Sequence, residues 1–306
     1  MGERRRRLRR TELTVPGHSA AMLAKAAAGG ADEVICDLED AVAFTQKEAA
    51  RCEVAKALSA LSWGEKVRAL RVNPIEMPWF LEDVLTVIPQ AGAAIDTVIL
   101  PKVNSPDEVK FLCALLSQLE RKHGLGVGRM GLEVLIETPS AVQQIDAIAA
   151  ASPRMESLIF GVADYAASIA ARFDRDQWTE FAYVKQRIIA GAKAAGLDAI
   201  DAVTFQHRDL ELCREDARRA RSVGFDGKWV IHPAQIPVVH EAFTPTAEEA
   251  ARAARIVEAH RRADLEEGRG AIVVDGEMVD LASVRVQERV LERACRAGLL
   301  AIKAEP

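Results

Sequence analysis

The sequence lacks several features that would assign it to familiar classes of protein. No apolar run reaches the roughly 18 residues that a membrane-spanning helix needs, and no segment near the start resembles a secretory signal. Acidic residues exceed basic ones only slightly, 45 to 40, so the chain as a whole does not have the basic character of a nucleic-acid-binding protein. These absences predict a cytoplasmic protein with neither nucleic acid nor membrane as a partner.

Cysteine and histidine motifs are also missing. The five cysteines are scattered and odd in number, and no two stand in a C-x-x-C pair, which argues against a disulfide framework and a zinc site. The six histidines show no H-x-x-x-H spacing. No G-x-G-x-x-G follows the first predicted strand, so a dinucleotide-binding α/β fold loses its main support.

What the chain does contain is a regular alternation of short apolar runs and longer helical segments. Runs such as TVIL and EVLI are nearly apolar throughout, as expected where both faces of a strand are buried. Eight strands that alternate with helices predict a (β/α)8 TIM barrel, with an open doubly wound sheet as the alternative. The predicted strands are residues 11–15, 33–37, 66–71, 97–100, 132–136, 157–160, 199–203 and 228–231, and the predicted helices include 45–61, 106–122, 140–150, 176–195 and 208–222.

The two ends of the chain depart from this alternation. Residues 4–10 read RRRRLRR, which suits a nucleic-acid- or phosphate-binding arm or, as we expect, a solvated terminal arm. From about residue 246 a capped, charged helix is followed by a hairpin with Asp-Gly at its turn and by an amphipathic helix. The sequence therefore predicts a basic arm (1–10), a barrel domain (11–245) and a C-terminal lid or oligomerisation extension (246–306).

Charged residues follow five consecutive predicted strands at the point where each strand ends. The carboxyl ends of barrel strands form one rim, where the active sites of such barrels lie, so we expect these side chains to meet. Strands commonly end in polar turns, and a carboxylate there can instead serve the start of a helix. The residues are Asp37, Glu39, Asp40, Arg71, Lys102, Glu137 and Asp164.

These residue types suit a divalent metal and an anionic substrate. Carboxylates with open positions beside them favour a hard cation, magnesium before calcium or zinc. The guanidinium of Arg71 can bind a carboxylate in bidentate fashion. Metal and arginine together suggest a 2-oxo acid, with the metal stabilising charge on oxygen while a carbon–carbon bond forms or breaks.

The chain also carries an ordered set of short motifs. They are RTELTVPG (10–17), VICDLEDAV (34–42), RVN (71–73), LPKV (100–103), LIET (135–138), FGVAD (160–164) and GFDGKWVIHPAQI (224–236). Together they resemble the HpcH/HpaI aldolase and citrate lyase β-subunit family of the phosphoenolpyruvate/pyruvate barrel superfamily, and most of all its malyl-CoA and β-methylmalyl-CoA lyase-like members. The resemblance implies a magnesium-dependent lyase that interconverts a 3-hydroxyacyl-CoA with a 2-oxo acid (glyoxylate or pyruvate) and an acyl-CoA, in a homotrimer or hexamer.

The resemblance also implies roles for single residues. Glu137 and Asp164 would hold magnesium, and Arg71 would bind the 2-oxo acid carboxylate beside Glu137. Asp280, which ends the DGEMVD motif, would be the acid/base that acts on the acyl-CoA, and Arg71 and Glu137 complete the implied catalytic set. The other implied substrate-binding residues are Asp37, Glu39, Lys102, Gly161, Val162 and Ala163.

Other functions stay open at this point. A thioesterase would use water to attack the same thioester, and a citrate lyase β subunit would act on citryl-thioester held by an acyl carrier protein. The C-terminal extension with Asp280 disfavours the citrate lyase, and the joint presence of Glu137, Asp164 and Arg71 disfavours a non-catalytic scaffold. Many relatives carry a basic residue and a proline where this chain has Ala20 and Ala21, so residues 4–10 are an alternative contact for coenzyme A phosphates.

Overall fold

Eight parallel strands close into a barrel in the computed structural model, which describes residues 7–172 and 177–300. Each strand pairs with the next one along the chain, and the eighth pairs with the first, so the predicted barrel is confirmed and the open sheet is wrong. The strands are β1 (Thr11–Pro16), β2 (Glu33–Asp37), β3 (Val67–Arg71), β4 (Thr97–Leu100), β5 (Gly131–Ile136), β6 (Met155–Phe160), β7 (Asp198–Asp201) and β8 (Gly227–Val230).

Helices connect successive strands of the barrel. The predicted helix at 140–150 is two short helices, because Gln144 leaves the helical conformation at φ −110° and ψ 14°. The predicted helix at 176–195 is likewise divided, and its first residue lies outside the described residues. Within those residues no helix combines the length and apolarity that crossing a membrane requires. The helices are α1 (Ala20–Ala28), α2 (Lys47–Ala60), α3 (Trp79–Ala91), α4 (Pro106–Lys122), α5 (Pro139–Gln143), α6 (Ile145–Ala149), α7 (Val162–Ser168), α8 (Gln177–Glu180), α9 (Ala182–Ala194), α10 (Leu210–Val223) and α11 (Gln235–Phe243).

Side chains inside the barrel form three layers, because alternate residues of a strand point to the same face. In β2 these residues are Glu33, Ile35 and Asp37. Along β5 and the residue that follows it, Glu133 and Glu137 flank Leu135 in the same way. The middle layer is apolar and separates an acidic layer at the N-terminal ends of the strands from another at their carboxyl ends. Its members are Ile35, Ala69, Ile99, Leu135, Ile159 and Ile200, with Trp229 packed against them.

The arginines that precede β1 are held by acidic side chains. Arg9 is 3% exposed, and its Nε donates to Glu33 Oε2 at 2.8 Å. Arg7 Nε donates to Glu156 at 3.0 Å, and Arg10 pairs with Asp32 at 2.8 Å. The expectation of a solvated arm is therefore wrong for residues 7–10, because carboxylates at the N-terminal ends of the strands bind these guanidinium groups. Residues 4–6 lie outside the described residues.

Residues from Glu241 onward form a second compact unit. The helix α12 (Ala247–Glu267) begins with a capping box at Thr246, and α13 (Leu281–Arg296) follows a hairpin of β9 (Ala271–Val274) and β10 (Glu277–Asp280). The hairpin turn has φ 53° and 82° at its Asp-Gly pair, the positive values that such two-residue turns require. The predicted helix–hairpin–helix order is confirmed, whereas a role as lid or oligomerisation element stays a prediction.

Candidate active site

One cavity of about 610 Å³ lies at the carboxyl ends of the strands. Its charged part contains residues that directly follow β2, β4, β5 and β6, as the charge pattern of the sequence predicts. The cavity does not collect the whole predicted cluster, because Asp37 and Arg71 are absent from its lining within the described residues. The predicted residues that do line it are Glu39, Asp40, Lys102, Glu137 and Asp164.

The same cavity has an apolar part. Phe44 is 69% exposed and stacks on Trp79, with ring centroids 4.8 Å apart. This combination of an acidic part and an apolar part suits a ligand with a charged end and a less polar remainder. The apolar lining residues are Val42, Ala43, Phe44, Pro74, Ile75 and Met77.

Glu137 is the most perturbed carboxyl group of the cavity. It is 2% exposed, and its Oε1 accepts a hydrogen bond from the backbone N–H of Lys102 at 2.5 Å. Burial, followed by the charges of Glu39 and Asp164, raises the pKa of Glu137 to about 8. A carboxyl group in this environment gains from any cation that enters the cavity, because a cation offsets both the burial and the repulsion.

Gly161 leaves the space that the Glu137 carboxyl group fills. A Cβ atom at this position would collide with Glu137 Oε2. Gly161 precedes α7, whose first turn contains the buried Val162, the exposed Ala163 and Asp164. None of Gly161, Val162 and Ala163 appears among the described lining residues, so their predicted substrate contacts stay a prediction.

Lys102 belongs to the acidic cluster and is not a solvated loop lysine. Its Nζ lies 2.8 Å from Glu39 Oε1, 3.2 Å from Asp40 Oδ1 and 3.6 Å from Asp164 Oδ1. Burial by itself would lower the pKa of Lys102, but the hydrogen bond to Glu39 and the neighbouring carboxylates raise it above its usual range. The backbone of Lys102 has φ 52°, a left-handed conformation that costs about 1–3 kcal/mol in a residue with a side chain. The fold thus holds this lysine in the cavity against local strain.

Asp164 and Asp40 are the more accessible acids of the cluster. The Asp164 side chain is 41% exposed, which leaves positions around it open to water or a ligand. Asp40 is also exposed and contacts Lys102. The helical element that follows Asp40 is a three-residue 3-10 turn at Phe44–Gln46, so Asp40 does not serve the N-terminus of a helix.

Arg71 is fixed behind the cavity by two carboxylates. Its Nε and Nη2 donate to the two oxygens of Asp37, both at 2.7 Å, and its Nη1 lies 2.8 Å from Glu39 Oε2. The guanidinium also lies over the Trp229 ring, 5.3 Å from its centroid. Asp37 additionally accepts the backbone N–H groups of Glu39 and Ala41. Asp37 therefore orients Arg71 and the loop after β2.

Lys47 and Asp83 support the site but are not identified by the sequence analysis. Lys47 Nζ is buried and donates to the carbonyl oxygens of Leu38 and Glu39 and to Asn73 Oδ1, at 2.6–2.7 Å. Asn73 Nδ2 in turn donates to Asp83 at 2.6 Å. A lysine and an aspartate inside helices carry no local signal that distinguishes them from solvated side chains, because their partners are brought near only by the fold.

Asp280 lies in the second unit and has a clear local role. It precedes α13, and its Oδ1 accepts hydrogen bonds from the Ser283 N–H at 2.8 Å and from the Ser283 hydroxyl at 2.9 Å. These hydrogen bonds lower the pKa of Asp280. Asp280 thus caps a helix, and its catalytic role stays a prediction.

The sequence also matches the model of a known protein family. The model for HpcH/HpaI aldolase/citrate lyase matches residues 10–233, which is most of the chain and the whole barrel. The chain belongs to this family. The resemblance predicted from the motifs is therefore confirmed.

Two relatives that match over nearly their whole length carry different enzyme names. The L-malyl-CoA/beta-methylmalyl-CoA lyase of Cereibacter sphaeroides is 33% identical over 301 residues, covering 93% of this chain and 94% of the relative. The citrate lyase subunit beta of Haemophilus influenzae is 34% identical over 289 residues, covering 94% and 97%. Since both matches cover nearly the whole chain, the C-terminal extension does not disfavour a citrate lyase subunit, and that part of the sequence analysis is corrected.

A solved structure is similar over the same length. The protein CitE from Mycobacterium tuberculosis, in complex with magnesium, acetoacetate and coenzyme A, is 32% identical and has a TM-score of 0.73. The match covers 94% of this chain and 98% of that chain. Magnesium and coenzyme A thus bind to a protein with this fold and a related sequence.

Proposed function

We propose that this protein is a magnesium-dependent lyase that cleaves or forms a carbon–carbon bond in a 3-hydroxyacyl-CoA such as malyl-CoA, β-methylmalyl-CoA or citramalyl-CoA. The products of cleavage would be glyoxylate or pyruvate and an acyl-CoA. The observation that carries the proposal is the buried Glu137 carboxyl group, which shares one cavity with Glu39 and Asp164. The names of the two curated relatives and the magnesium and coenzyme A of CitE support it.

Glu137 and Asp164 would hold the metal. The donor set fits magnesium, since this ion takes oxygen ligands and binds through one or two carboxylates while keeping several waters. The raised pKa of Glu137 marks an excess of negative charge, and the exposure of Asp164 leaves room for those waters. When bound, magnesium supplies a Lewis acid that stabilises negative charge on substrate oxygens.

Arg71 would bind the carboxylate of the 2-oxo acid. Asp37 and Trp229 hold its guanidinium in one orientation, so little conformational freedom is lost when a substrate arrives. Each terminal nitrogen of arginine carries two N–H groups, and one on each is engaged by Asp37 or Glu39. The second N–H of each nitrogen is the donor proposed for the substrate carboxylate.

The apolar part of the cavity would receive the thioester side of the substrate. A cavity of about 610 Å³ is larger than a 2-oxo acid needs and falls within the usual range of about 300–1,000 Å³ for ligand pockets. Val42, Phe44 and Met77 offer apolar surface beside the charged group of acids. Arg7, Arg9 and Arg10 are engaged with carboxylates, so the alternative contact to coenzyme A phosphates is withdrawn for them.

The proposed cleavage needs one proton to be removed from the substrate and one to be added to the product enolate. In cleavage a base removes the proton of the 3-hydroxyl group, the bond between C2 and C3 breaks, and its electron pair moves to C2 as a thioester enolate. Asp280 would protonate C2 as an acid, and in condensation it would remove a proton from the acyl-CoA as a base. The hydrogen bonds from Ser283 lower the pKa of Asp280, which keeps it in the ionised form that accepts a proton in condensation, although they weaken it as a base.

An Asp280→Asn variant separates catalysis from capping. Asparagine is as good an N-cap as aspartate, so the helix and the metal affinity should be retained while turnover is lost. Full activity of this variant would contradict the role proposed for Asp280.

A panel of thioesters tests the proposed function. The protein with magnesium should release glyoxylate from malyl-CoA, measured as its phenylhydrazone, and Glu53→Gln, an exposed change in a surface ion pair, serves as the active control. Free coenzyme A thiol without a 2-oxo acid would indicate a thioesterase. Oxaloacetate from a citryl-thioester alone would indicate the citrate lyase β subunit that the Haemophilus relative supports, and no product at all would indicate a scaffold.

The assembly and location are also proposals. The family resemblance suggests a homotrimer or hexamer, and the cytoplasmic location expected from the sequence is kept as a proposal. Light scattering coupled to size-exclusion chromatography tests the first part, because a mass of one 33.3 kDa chain would contradict it.

A further inference from the structure

A second group of acids lies inside the barrel at the N-terminal ends of the strands. Glu12 from β1, Glu33 from β2 and Glu133 from β5 are all 0% exposed. One carboxylate oxygen from each lies within 4.8 Å of the others. The apolar middle layer separates this group from the cavity at the rim, so it is not part of the proposed active site.

Positive charge is scarce in this group. Within the described part of the chain, Arg9 is the cation that contacts the glutamates, through Glu33 Oε2 at 2.8 Å and Glu133 Oε2 at 3.5 Å. The same guanidinium also pairs with Glu156 and with Asp198. One positive charge is therefore shared among several carboxylates.

Glu12 lacks the partners that its two neighbours have. Both oxygens of Glu12 have no hydrogen-bond partner among the described residues, whereas Glu33 and Glu133 share a side-chain hydrogen bond in which Glu33 is the protonated group. Oε2 of Glu33 accepts a hydrogen bond from Arg9. Oε2 of Glu133 lies near Arg9 and accepts a hydrogen bond from the Ser157 hydroxyl. These contacts fix the Glu33 and Glu133 carboxyl groups beside Glu12, whose own two oxygens are left without a partner among the described residues.

Such an arrangement is costly without a further positive charge. An ionised carboxylate buried without a partner loses several kcal/mol of solvation. Burial, and then the neighbouring carboxylates, raise the pKa values of Glu12 and Glu33, which is the electrostatic sign of the same deficit. Either a cation or shared protons must satisfy these oxygens, and a proton shared between two of them would leave the third carboxylate without a partner.

We propose that Glu12, Glu33 and Glu133 bind a divalent cation of the size of calcium in a closed structural site. When ionised, the three carboxylates exceed the one guanidinium, which Glu156 and Asp198 also share, by at least two negative charges, and a divalent ion would neutralise two of them. The unpartnered oxygens of Glu12 supply ligands that no described protein group uses.

Hydration favours calcium over magnesium at this site. Magnesium retains several waters, whereas the three glutamates have no exposed surface. The ion would enter while the chain folds, as in other closed metal sites.

Refolding with and without the ion tests this proposal. Protein unfolded in guanidinium chloride with a chelator is refolded in chelator or in calcium and then desalted. Calcium per chain is measured by inductively coupled plasma mass spectrometry, and the Tm by calorimetry. We expect one retained calcium per chain and a Tm higher by about 5 °C or more than that of the calcium-free protein.

Two matched variants assign the ion to its site. Glu12→Gln preserves the side-chain shape but removes the charge, and it should retain no calcium and show no Tm response; Glu133→Gln provides the same test if Glu12→Gln does not fold. Asp164→Asn, at the rim, should retain calcium as the wild type does. The proposal is overturned if the wild type retains no calcium and its Tm does not respond, or if Asp164→Asn loses the ion while Glu12→Gln keeps it.

Discussion

The two ends of the barrel interior both contain glutamates, yet they offer opposite environments. Glu133 in β5 and Glu137, which directly follows β5, are four residues apart, with Leu135 between them. Glu137 lines an open cavity beside the 41% exposed Asp164, whereas Glu133 lies in a group with no exposed member. The residue type is the same, so the loops around it decide whether a carboxylate can meet a substrate or only a trapped ion.

The cations at the two ends differ in a corresponding way. At the rim, Lys102 carries its charge on a flexible stem that contacts the buried Glu39 and the exposed Asp40 and Asp164. At the N-terminal end, Arg9 is a planar group held by several carboxylates at once. A lysine ammonium can move aside when a metal or substrate enters, while an arginine fork locks its neighbours in place. The rim is therefore suited to catalysis, whereas the N-terminal end of the barrel is suited to stabilising the fold.

The largest expected effect is the loss of catalysis in Glu137→Gln. Removing one electrostatic group from an active site lowers turnover by about 10²–10³-fold, and loss of a metal ligand should cost at least that much. Stability should be unchanged or improved, because glutamine cannot ionise at a position where burial, Glu39 and Asp164 oppose a negative charge. Activity with malyl-CoA and the Tm are measured on the same sample. Normal turnover by this variant would contradict the proposal that the rim is the active site.

Arg9→Met should have the largest effect on stability. Removing one partner of a buried ion pair costs about 3–5 kcal/mol, because the remaining carboxylates keep their burial without their counter-charge. Arg261→Met is the matched control, since Arg261 makes an exposed, solvent-screened pair with Glu258 whose loss should barely change the stability. Urea unfolding measures both. Equal decreases in the free energy of unfolding for the two variants would show that the buried ion pairs of Arg9 contribute no more to stability than an exposed pair.

Gly161→Ala should disturb the rim alone. The added methyl group collides with the Glu137 carboxyl group, so we expect a loss of activity of about 10²-fold with a destabilisation of about 1–3 kcal/mol. Gly126→Ala is the control, because a Cβ atom there meets nothing within 4 Å. A Gly161 variant with full activity would show that the position of Glu137 is not critical.

The smallest expected effect is a contribution of His240 to the pH dependence of stability, at the N-terminal end of the barrel. His240 contacts Thr11 and Asp32, and burial, with the charge of Arg10, lowers its pKa below the ordinary value of 6.5. The unfolded chain therefore binds a proton more readily than the folded protein, so stability should fall as the pH drops below about 6.5. His240→Gln should reduce this part of the pH dependence in thermal unfolding. An unchanged profile would show that His240 does not contribute.

The barrel and much of the rim could be predicted because their signals are local. Alternating apolar runs specify the strands, and charges at consecutive strand ends mark the rim, which places Glu137 and Asp164 in one cavity. The partners of Arg9 are not local, because they lie 24 to 189 residues away in sequence, and the arm therefore resembled a solvated segment. Glu33 and Glu133 are inconspicuous within their strands until the closed barrel brings them together.

The metal dependence of glyoxylate release from malyl-CoA tests the central claim most directly. Glyoxylate should appear with magnesium, cease to form when a chelator is added and return when magnesium is restored, with Glu137→Gln inactive throughout. Release of coenzyme A thiol without glyoxylate, at the same rate with and without the chelator, would contradict a magnesium-dependent lyase at this rim.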